Sequence, residues 1–502
     1  MTTPAPNSFE LVETTVADIH DAMRDGRVTA EALVDRYLAR IDEYEDLNAI
    51  LTLNDQALDR ARELDARFEH EGFIGPLHGV PTIIKDNHDT HDMPTTAGSK
   101  ALAESTPSRD AFVVEQLRNA GAVVIAKANL QELSFGVDTI SSLGGATRNA
   151  YDLDRRPAGS SGGTAAAIAA NLGALGTGSD TCSSVRSPPA FNNLVGVRPT
   201  RGLVSRTGIV PLSETQDTAG PITRSVTDAA LLLDVMAGYD PEDPVSSRGV
   251  RKVPANGYVS HLDETGLEDA RIGVARQFFG LQQDDRDDDG AAEAVTTVVE
   301  DAIDEMAAAG ATIVDPVEVV DVDYLVSARV LGFEWARDFE RYLEELGDDT
   351  PHVSLSDLVA TGEIAPSVAD RIEAAGVLDV DVESLDQNDE YLRRLRRRQR
   401  IADTTLSRMA EFDLDALLYP PSTIPPVEIP AHQPFGEMNC ELSAHTGLPA
   451  IVVPAGFIDG GLPVGVELLG RAFDEPRLFE LAYAFEQATD HRRPPDGFGP
   501  LA

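Results

Sequence analysis

"DAFVVEQLRNAGAVVIAKAN", from Asp110 to Asn129, changes its periodicity half-way along. The first part reads as a helix closed by Gly121, since glycine accepts the left-handed backbone that ends helices. The second part, Val123 to Ala126, is a short apolar run of the kind a buried strand presents. The same helix–strand unit returns in "AAEAVTTVVEDAIDEMAAAGATIVDPV", Ala291 to Val317. "GVPTIIKDN" (Gly79–Asn87) reads as a strand entering a loop, and "LDALLYPPS" (Leu414–Ser422) and "LPAIVVPAGF" (Leu448–Phe457) read as late strands. "SVTDAALLLDVMAGYDP" (Ser225–Pro241) is a helix with a Ser225-x-x-Asp228 box at its start and Gly238 and Pro241 at its end. Alternation of this kind implies an α/β fold, a sheet covered by helices on both faces.

Residues 8–70 read as N-terminal helices. In "TAEALVDRYLARIDEY" Leu33, Tyr37, Leu38 and Ile41 fall at helical spacing behind Thr29 as N-cap. Residues 75–245 form the densest β/α stretch, 320–410 are helical and charged like an insertion or cap, and 411–490 return to strands. No internal repeat or long Gly/Ser/Pro linker divides the chain, so one domain over 1–502 is expected.

The 502 residues carry 85 Asp plus Glu against 41 Lys plus Arg, a formal net charge of −44. The acids are spread along the chain, which argues against a disordered acidic arm. Such a surface repels itself in dilute buffer, whereas at molar salt the Debye length falls to about 3 Å and the repulsion is screened. The expectation is an acidic surface adapted to a salt-rich cytoplasm, a halophilic trait, with a surface for basic partners as the alternative. Full folding and activity in about 10 mM salt would contradict it.

Nucleic-acid binding is disfavoured at this charge. The one basic cluster, "RRLRRRQR" (Arg393–Arg400), reads as a solvated helix face with its arginines paired to neighbouring acids. No secretory signal and no run of 18 strongly apolar residues is visible, so the expectation is a soluble cytoplasmic protein without a membrane partner. Two cysteines, Cys182 and Cys440, make no disulfide framework, and Cys182 reads as a small buried apolar residue.

Chemistry concentrates in two serine-rich stretches. "AGSSGGTAAA" holds Ser160 and Ser161, and "GSDTCSSVRSPPA" (Gly178–Ala190) holds Ser179, Ser183, Ser184 and Ser187. Neither contains a histidine to take a serine's proton. "GSSGG" (Gly159–Gly163) satisfies the G-x-S-x-G nucleophile elbow around Ser161, but the polar "NAYDLDRRPA" before it is loop where the elbow needs a strand. A phosphate cradle there lacks the P-loop's Lys-Ser/Thr. "DRDDDG" (Asp285–Gly290) begins like a calcium loop, but Thr296 stands where its closing Glu belongs. His88 and His91 in "DNHDTHDM" have no clear third metal ligand.

A buried lysine does what histidine does elsewhere, if burial leaves it neutral. The chain has only four lysines, Lys85, Lys100, Lys127 and Lys252, and Lys85 closes the apolar run "VPTII". Arginine has replaced lysine nearly everywhere else and cannot deprotonate, which singles Lys85 out as a base.

"VPTIIKDN", "AGSSGGTAAAIAANLGALGTGSDTCSSVRSPPAFNNLVGVRPTRGLVS" and "TQDTAGPITRSVTDAA" resemble the amidase signature family, in the family's order and spacing. The match is dense from Gly79 to Pro244 and continues more weakly from residue 15 to "TGLPAIVVPAGF". The resemblance implies an α/β/α sandwich with a mixed central sheet and helical N-terminal and cap segments. It implies hydrolysis of a carboxylic amide to acid and ammonia or amine through a Ser–cis-Ser–Lys triad, without metal or organic cofactor. Carried over motif by motif, Lys85 is the base, Ser160 the bridging serine whose preceding peptide bond is cis, and Ser184 the nucleophile that forms an acyl-enzyme. The backbone N–H groups of Thr181, Cys182, Ser183 and Ser184 would form the oxyanion hole.

Ser161 matches a supporting position, Asp180 and Arg186 would pair to hold the loop, and Ser179 and Ser187 match no catalytic position. Cys182 and Ser183 stand where the family usually has glycine, so their side chains would narrow the acyl pocket. "TQDTAGP" (Thr215–Pro221) is more like the general-amidase and peptide-amidase branch than the A subunit of a glutamine-dependent aminoacyl-tRNA amidotransferase. That subunit, with a partner and glutamine as substrate, is one alternative, and a non-catalytic acidic binding protein on the same fold is the other. The expected partner is a small-molecule or peptide amide, and a homodimer is the commonest assembly to expect.

Overall fold

The computed structural model describes residues 9–283 and 290–501. The calcium-loop-like stretch therefore lies outside the described residues, except for Gly290. The strands run β1 Ile50–Leu53, β2 Pro81–Lys85, β3 Val123–Ala128, β4 Ile140–Ser141, β5 Gly145–Ala146, β6 Leu175–Asp180, β7 Val195–Arg198, β8 Thr218–Thr223, β9 Arg271–Val274, β10 Thr312–Val314, β11 Ala416–Tyr419, β12 Ala450–Phe457 and β13 Pro463–Leu469. β4 and β5 make a small hairpin, and the other strands form one sheet in the order β1-β3-β2-β6-β8-β7-β12-β13-β11-β9-β10. The sheet is mixed: β3, β2 and β6 run parallel, as do β11, β9 and β10, while the strands between them pair antiparallel.

Every residue of β2, β3, β6 and β8 is buried. Successive side chains of a strand point to opposite faces, so both faces of the sheet are covered, as the apolar runs required. The deciding stretch divides as read, into a helix Phe112–Asn119 and β3, with Gly121 at φ +95° between them. Thr29 caps its helix by accepting from the Ala32 N–H at 3.1 Å. The Ser225 box forms by half: Ser225 Oγ accepts from the Asp228 N–H, but the Asp228 carboxylate turns away to accept from the Val16 N–H at 3.2 Å. It thereby caps the first helix of the chain, Val16–Arg24.

Two features depart from the sequence reading. The N-terminal helices Val16–Arg24, Ala30–Glu43 and Ala57–Glu71 are interrupted by β1. Asn48, in the left-handed conformation, turns the chain so that Ile50–Leu53 pairs with the edge of β3. Four residues on an edge are too short to announce a strand by period. The basic stretch, in the helix Asp389–Glu411, is only partly a solvated face. Arg393 and Arg394 pair with Glu390, but Arg397 donates to the Ser327 carbonyl and buried Arg398 to the Ala328 carbonyl and Thr215 Oγ1.

Helices Val322–Val326, Leu331–Leu346, Leu355–Ala360, Pro366–Ala374 and Asp389–Glu411 occupy the segment read as a cap. Trp335, Phe339 and Leu355 of this segment cluster with Leu102, Leu133 and Leu212 from the earlier part of the chain. Among the described residues no helix is long and apolar enough to cross a membrane.

Candidate active site

β2 and β6 are parallel neighbours, Thr82 opposite Leu175 and Ile83 opposite Gly176, so their C-terminal ends emerge side by side. Lys85 ends β2 and Asp180 ends β6. Lys85 Nζ donates to Ser160 Oγ at 2.7 Å and to Ser179 Oγ at 2.8 Å. Complete burial lowers its pKa from the usual amine range to about 7, against the opposing pull of Asp180 and Asp217.

The Gly159–Ser160 peptide bond is cis. The Ser160 N–H donates to Ser184 Oγ at 2.9 Å, and the Ser160 carbonyl accepts from the Gln131 N–H at 3.0 Å. Lys85, Ser160 and Ser184 are thus brought into one chain of contacts, with Ser184 joined to Ser160 through the backbone N–H and not through its hydroxyl. Ser161 lies next to them as N-cap of the helix Gly162–Ala169, its Oγ donating weakly to the Ser179 carbonyl at 3.4 Å. The glycines of "GSSGG" serve close packing: a Cβ on Gly163 would lie 2.0 Å from the Asn129 carbonyl oxygen. No strand leads directly into them, so the nucleophile-elbow geometry is absent.

Asp180 and Arg186 do pair, at 3.2 Å, inside a larger buried network. Arg198 Nη1 meets Asp180 Oδ1 at 2.6 Å, Arg186 Nη1 meets Glu467 at 2.7 Å, and the Tyr419 hydroxyl donates to Glu467 at 2.7 Å. Burial alone would raise the Asp180 pKa, but the two guanidinium groups win and leave it lowered. Asp180 Oδ2 also accepts from the Val185 N–H at 3.0 Å, which fixes the turn carrying Ser184. Among the described residues no protein acceptor takes the N–H of Cys182, Ser183 or Ser184. Unpaired N–H groups on the loop that carries Ser184 are donors of the kind an oxyanion hole draws on.

The structure corrects the reading of the cysteines. Cys182 and Cys440 form a disulfide, with Cα atoms 4.9 Å apart across 258 positions of sequence. Cys440 precedes the helix Glu441–Thr446, and its carbonyl accepts from Arg186 Nη2 at 3.2 Å, which sets it against the serine loop. Cysteine spacing carries no sign of a contact this remote.

Ser179, which matched no catalytic position, touches the candidate base: its Oγ accepts from both Lys85 Nζ and Asn87 Nδ2, at 2.8 and 2.9 Å. Its place one residue before the end of β6, next to the end of β2, was the available signal. Ser187, by contrast, starts the helix Ser187–Phe191, and its buried Oγ has no partner among the described residues. Sequence reasoning also missed Gln216 and Asp217 as supports. Gln216 Nε2 donates to the Thr181 carbonyl at 2.9 Å, and Thr181 Oγ1 donates to Asp217 at 2.6 Å.

A cavity of about 710 Å³ opens onto Thr181–Ser184 and is roofed from the cap by Leu331, Phe333 and Val380. His445 also lines it, but burial and nearby arginines hold its pKa well below the usual range. Among the described residues no histidine hydrogen-bonds to Ser184. The suspected metal residues separate: His88 is buried beside Asn87, while exposed His91 meets Asp110. Asp92 joins His91 and Asp110 in a cluster, which Arg118 neutralises by pairing with both acids at 2.6 and 3.0 Å.

The sequence pattern of one family, described as Amidase, matches residues 32–479. The chain belongs to the amidase family. It is an amide-hydrolysing enzyme by that membership. The amidase is 36% identical to the A subunit of the glutamyl-tRNA(Gln) amidotransferase of Pseudomonas aeruginosa, over 97% of this chain and 100% of the relative. It resembles the solved structure of the peptide amidase from Stenotrophomonas maltophilia at 35% identity and a TM-score of 0.85, covering 96% of this chain and 98% of that one. The solved A subunit of the glutamyl-tRNA(Gln) amidotransferase of Thermotoga maritima is similar at 26% identity and a TM-score of 0.74, covering 99% of each chain.

Proposed function

We propose that this chain is a free-standing amidase that hydrolyses a carboxylic amide by a Ser184–Ser160–Lys85 relay. The observation that carries the reading is a fully buried lysine, lowered to about 7, in contact with Ser160, whose N–H donates to Ser184 Oγ where Ser184 lines the cavity. Ser184 Oγ attacks the amide carbonyl carbon. Its proton passes to Ser160 Oγ, and the Ser160 proton passes to neutral Lys85, after rotation about the Ser184 side chain brings the two hydroxyls together. The Ser160 N–H favours the alkoxide form of Ser184, and the N–H groups of Cys182 and Ser183 receive the developing oxyanion.

Collapse of the tetrahedral intermediate breaks the C–N bond, and the proton returns through the relay to the departing nitrogen. Water then attacks the acyl-Ser184 ester by the same route and releases the acid. Ser161, Asp180 and Arg186 hold the geometry without touching substrate.

A second reading, the A subunit of a glutamine-dependent amidotransferase, is favoured by the 36% identity to the Pseudomonas protein. The greater likeness in structure to the peptide amidase supports the first. Ammonia release from short aliphatic, aromatic, peptide C-terminal and glutamine amides separates them. Release from a non-glutamine amide by the isolated chain is expected. Release from glutamine alone, or only with a second protein present, would overturn the free-standing reading.

A further inference from the structure

The cavity beside Ser184 is charged against the grain of the molecule. The chain carries 85 acids to 41 bases. Yet among the described residues no Asp or Glu lines this cavity, whereas Arg329, Arg371 and Arg394 do. Each arginine has an acidic partner, Glu441, Asp138 and Glu390 in turn, and none of those acids reaches the cavity wall.

The guanidinium groups are seated by apolar neighbours. Arg394 lies over the Phe333 ring and Arg329 over the Phe435 ring, both 5.2 Å from the centroid. Arg371 descends onto Gly136, where a Cβ would come within 1.8 Å of its Nη1. Stacked guanidinium groups keep their N–H edges in a fixed plane, suited to a carboxylate or carbonyl oxygen and hostile to an ammonium.

Resting on the amidase reading above, we infer that Arg329, Arg371 and Arg394 are specificity residues: the site accepts amides whose acyl part is apolar near the carbonyl and neutral or anionic beyond it, and rejects acyl parts carrying an ammonium. Glutamine carries both charges: its carboxylate suits the arginines, but its ammonium would meet no carboxylate in the wall.

Three closely matched amides test this, N-propionyl-, N-succinyl- and N-(β-alanyl)-phenylalaninamide, which differ chiefly in the charge at one end. Their binding to the Ser184→Ala protein is measured by calorimetry, and their hydrolysis by the native enzyme is followed as ammonia, both at one salt concentration. The β-alanyl amide is expected to bind at least tenfold more weakly than the propionyl amide, and the succinyl amide at least as tightly. Arg371→Gln and Arg329→Gln should each shrink the succinyl-to-β-alanyl ratio about fivefold, with Arg→Lys restoring part of it. Equal binding of the three amides, no binding of any, or a ratio unmoved in both variants would overturn the inference. Binding in the expected order without ammonia release would instead break the reaction reading and leave the selectivity standing.

Discussion

The loop that carries Ser184 and the cap that roofs its cavity are held in opposite ways. Around the loop, Asp180 and Arg198 at strand ends, Glu467 within β13 and Arg186 on the loop itself are all fully buried and pair with one another. In the cap, the arginines that line the cavity pair with acids while remaining partly open to solvent, as Arg394 and Arg329 do. A buried network fixes one geometry and fails as a whole when one charge is lost; a half-exposed pair can be changed with little cost to the fold. On the reading proposed above, the difference divides labour: the serine loop sets the chemistry and the segment 320–410 sets what is admitted.

The largest effect should come from the chemistry itself. Ser184→Ala should lower kcat by about 10⁴-fold with an unchanged melting temperature, because the side chain is small and belongs to no ion pair. Retained turnover would remove the nucleophile. Lys85 sharpens the same side of the comparison through pH. Its folded pKa, lowered to about 7, means that the relay is blocked by the extra proton below that pH and opens above it. The rate should therefore rise with pH through a midpoint near 7, and Lys85→Ala should abolish both the activity and that limb.

Arg186→Met tests the network. It leaves buried Glu467 with no guanidinium and Asp180 with Arg198 alone, and should cost about 3–5 kcal/mol, measured by denaturant unfolding. Loss of activity without loss of stability would show that the network tunes the site instead of holding it. Opening the disulfide, by Cys440→Ser or by a dithiol reductant, should cost about 2–4 kcal/mol and slow turnover, since it frees one wall of the serine loop. The smallest change belongs to the cap. Tyr342 donates to Asp89 at 2.8 Å, tying the cap to the loop after β2, and Tyr342→Phe should cost roughly 1–2 kcal/mol. An effect as large as that of Arg186→Met would erase the distinction between the two regions.

The parts of this molecule that were legible in the sequence are those where local pattern and fold agree. β2, β3 and β12 are apolar runs between breakers, and Lys85 stood out because the chain has so few lysines. The bond between Cys182 and Cys440 and the hold of Gln216 on Thr181 depend on where separate segments meet, which no spacing encodes. Ser179 fell between the two cases: its neighbour across the sheet, not its own motif, gives it contact with Lys85. The cavity wall was the least legible, because arginines of a polar helical segment look alike until the fold shows which of them are buried, paired or facing the site.

The central claim, that Lys85 activates Ser184 through Ser160, is tested most directly with a serine-directed fluorophosphonate and peptide mass mapping. The expected result is a single adduct on Ser184, formed faster as pH rises through about 7 and lost in the Lys85→Ala protein. An adduct on Ser160, Ser161 or Ser179, or labelling of Ser184 at an undiminished rate without Lys85, would contradict it.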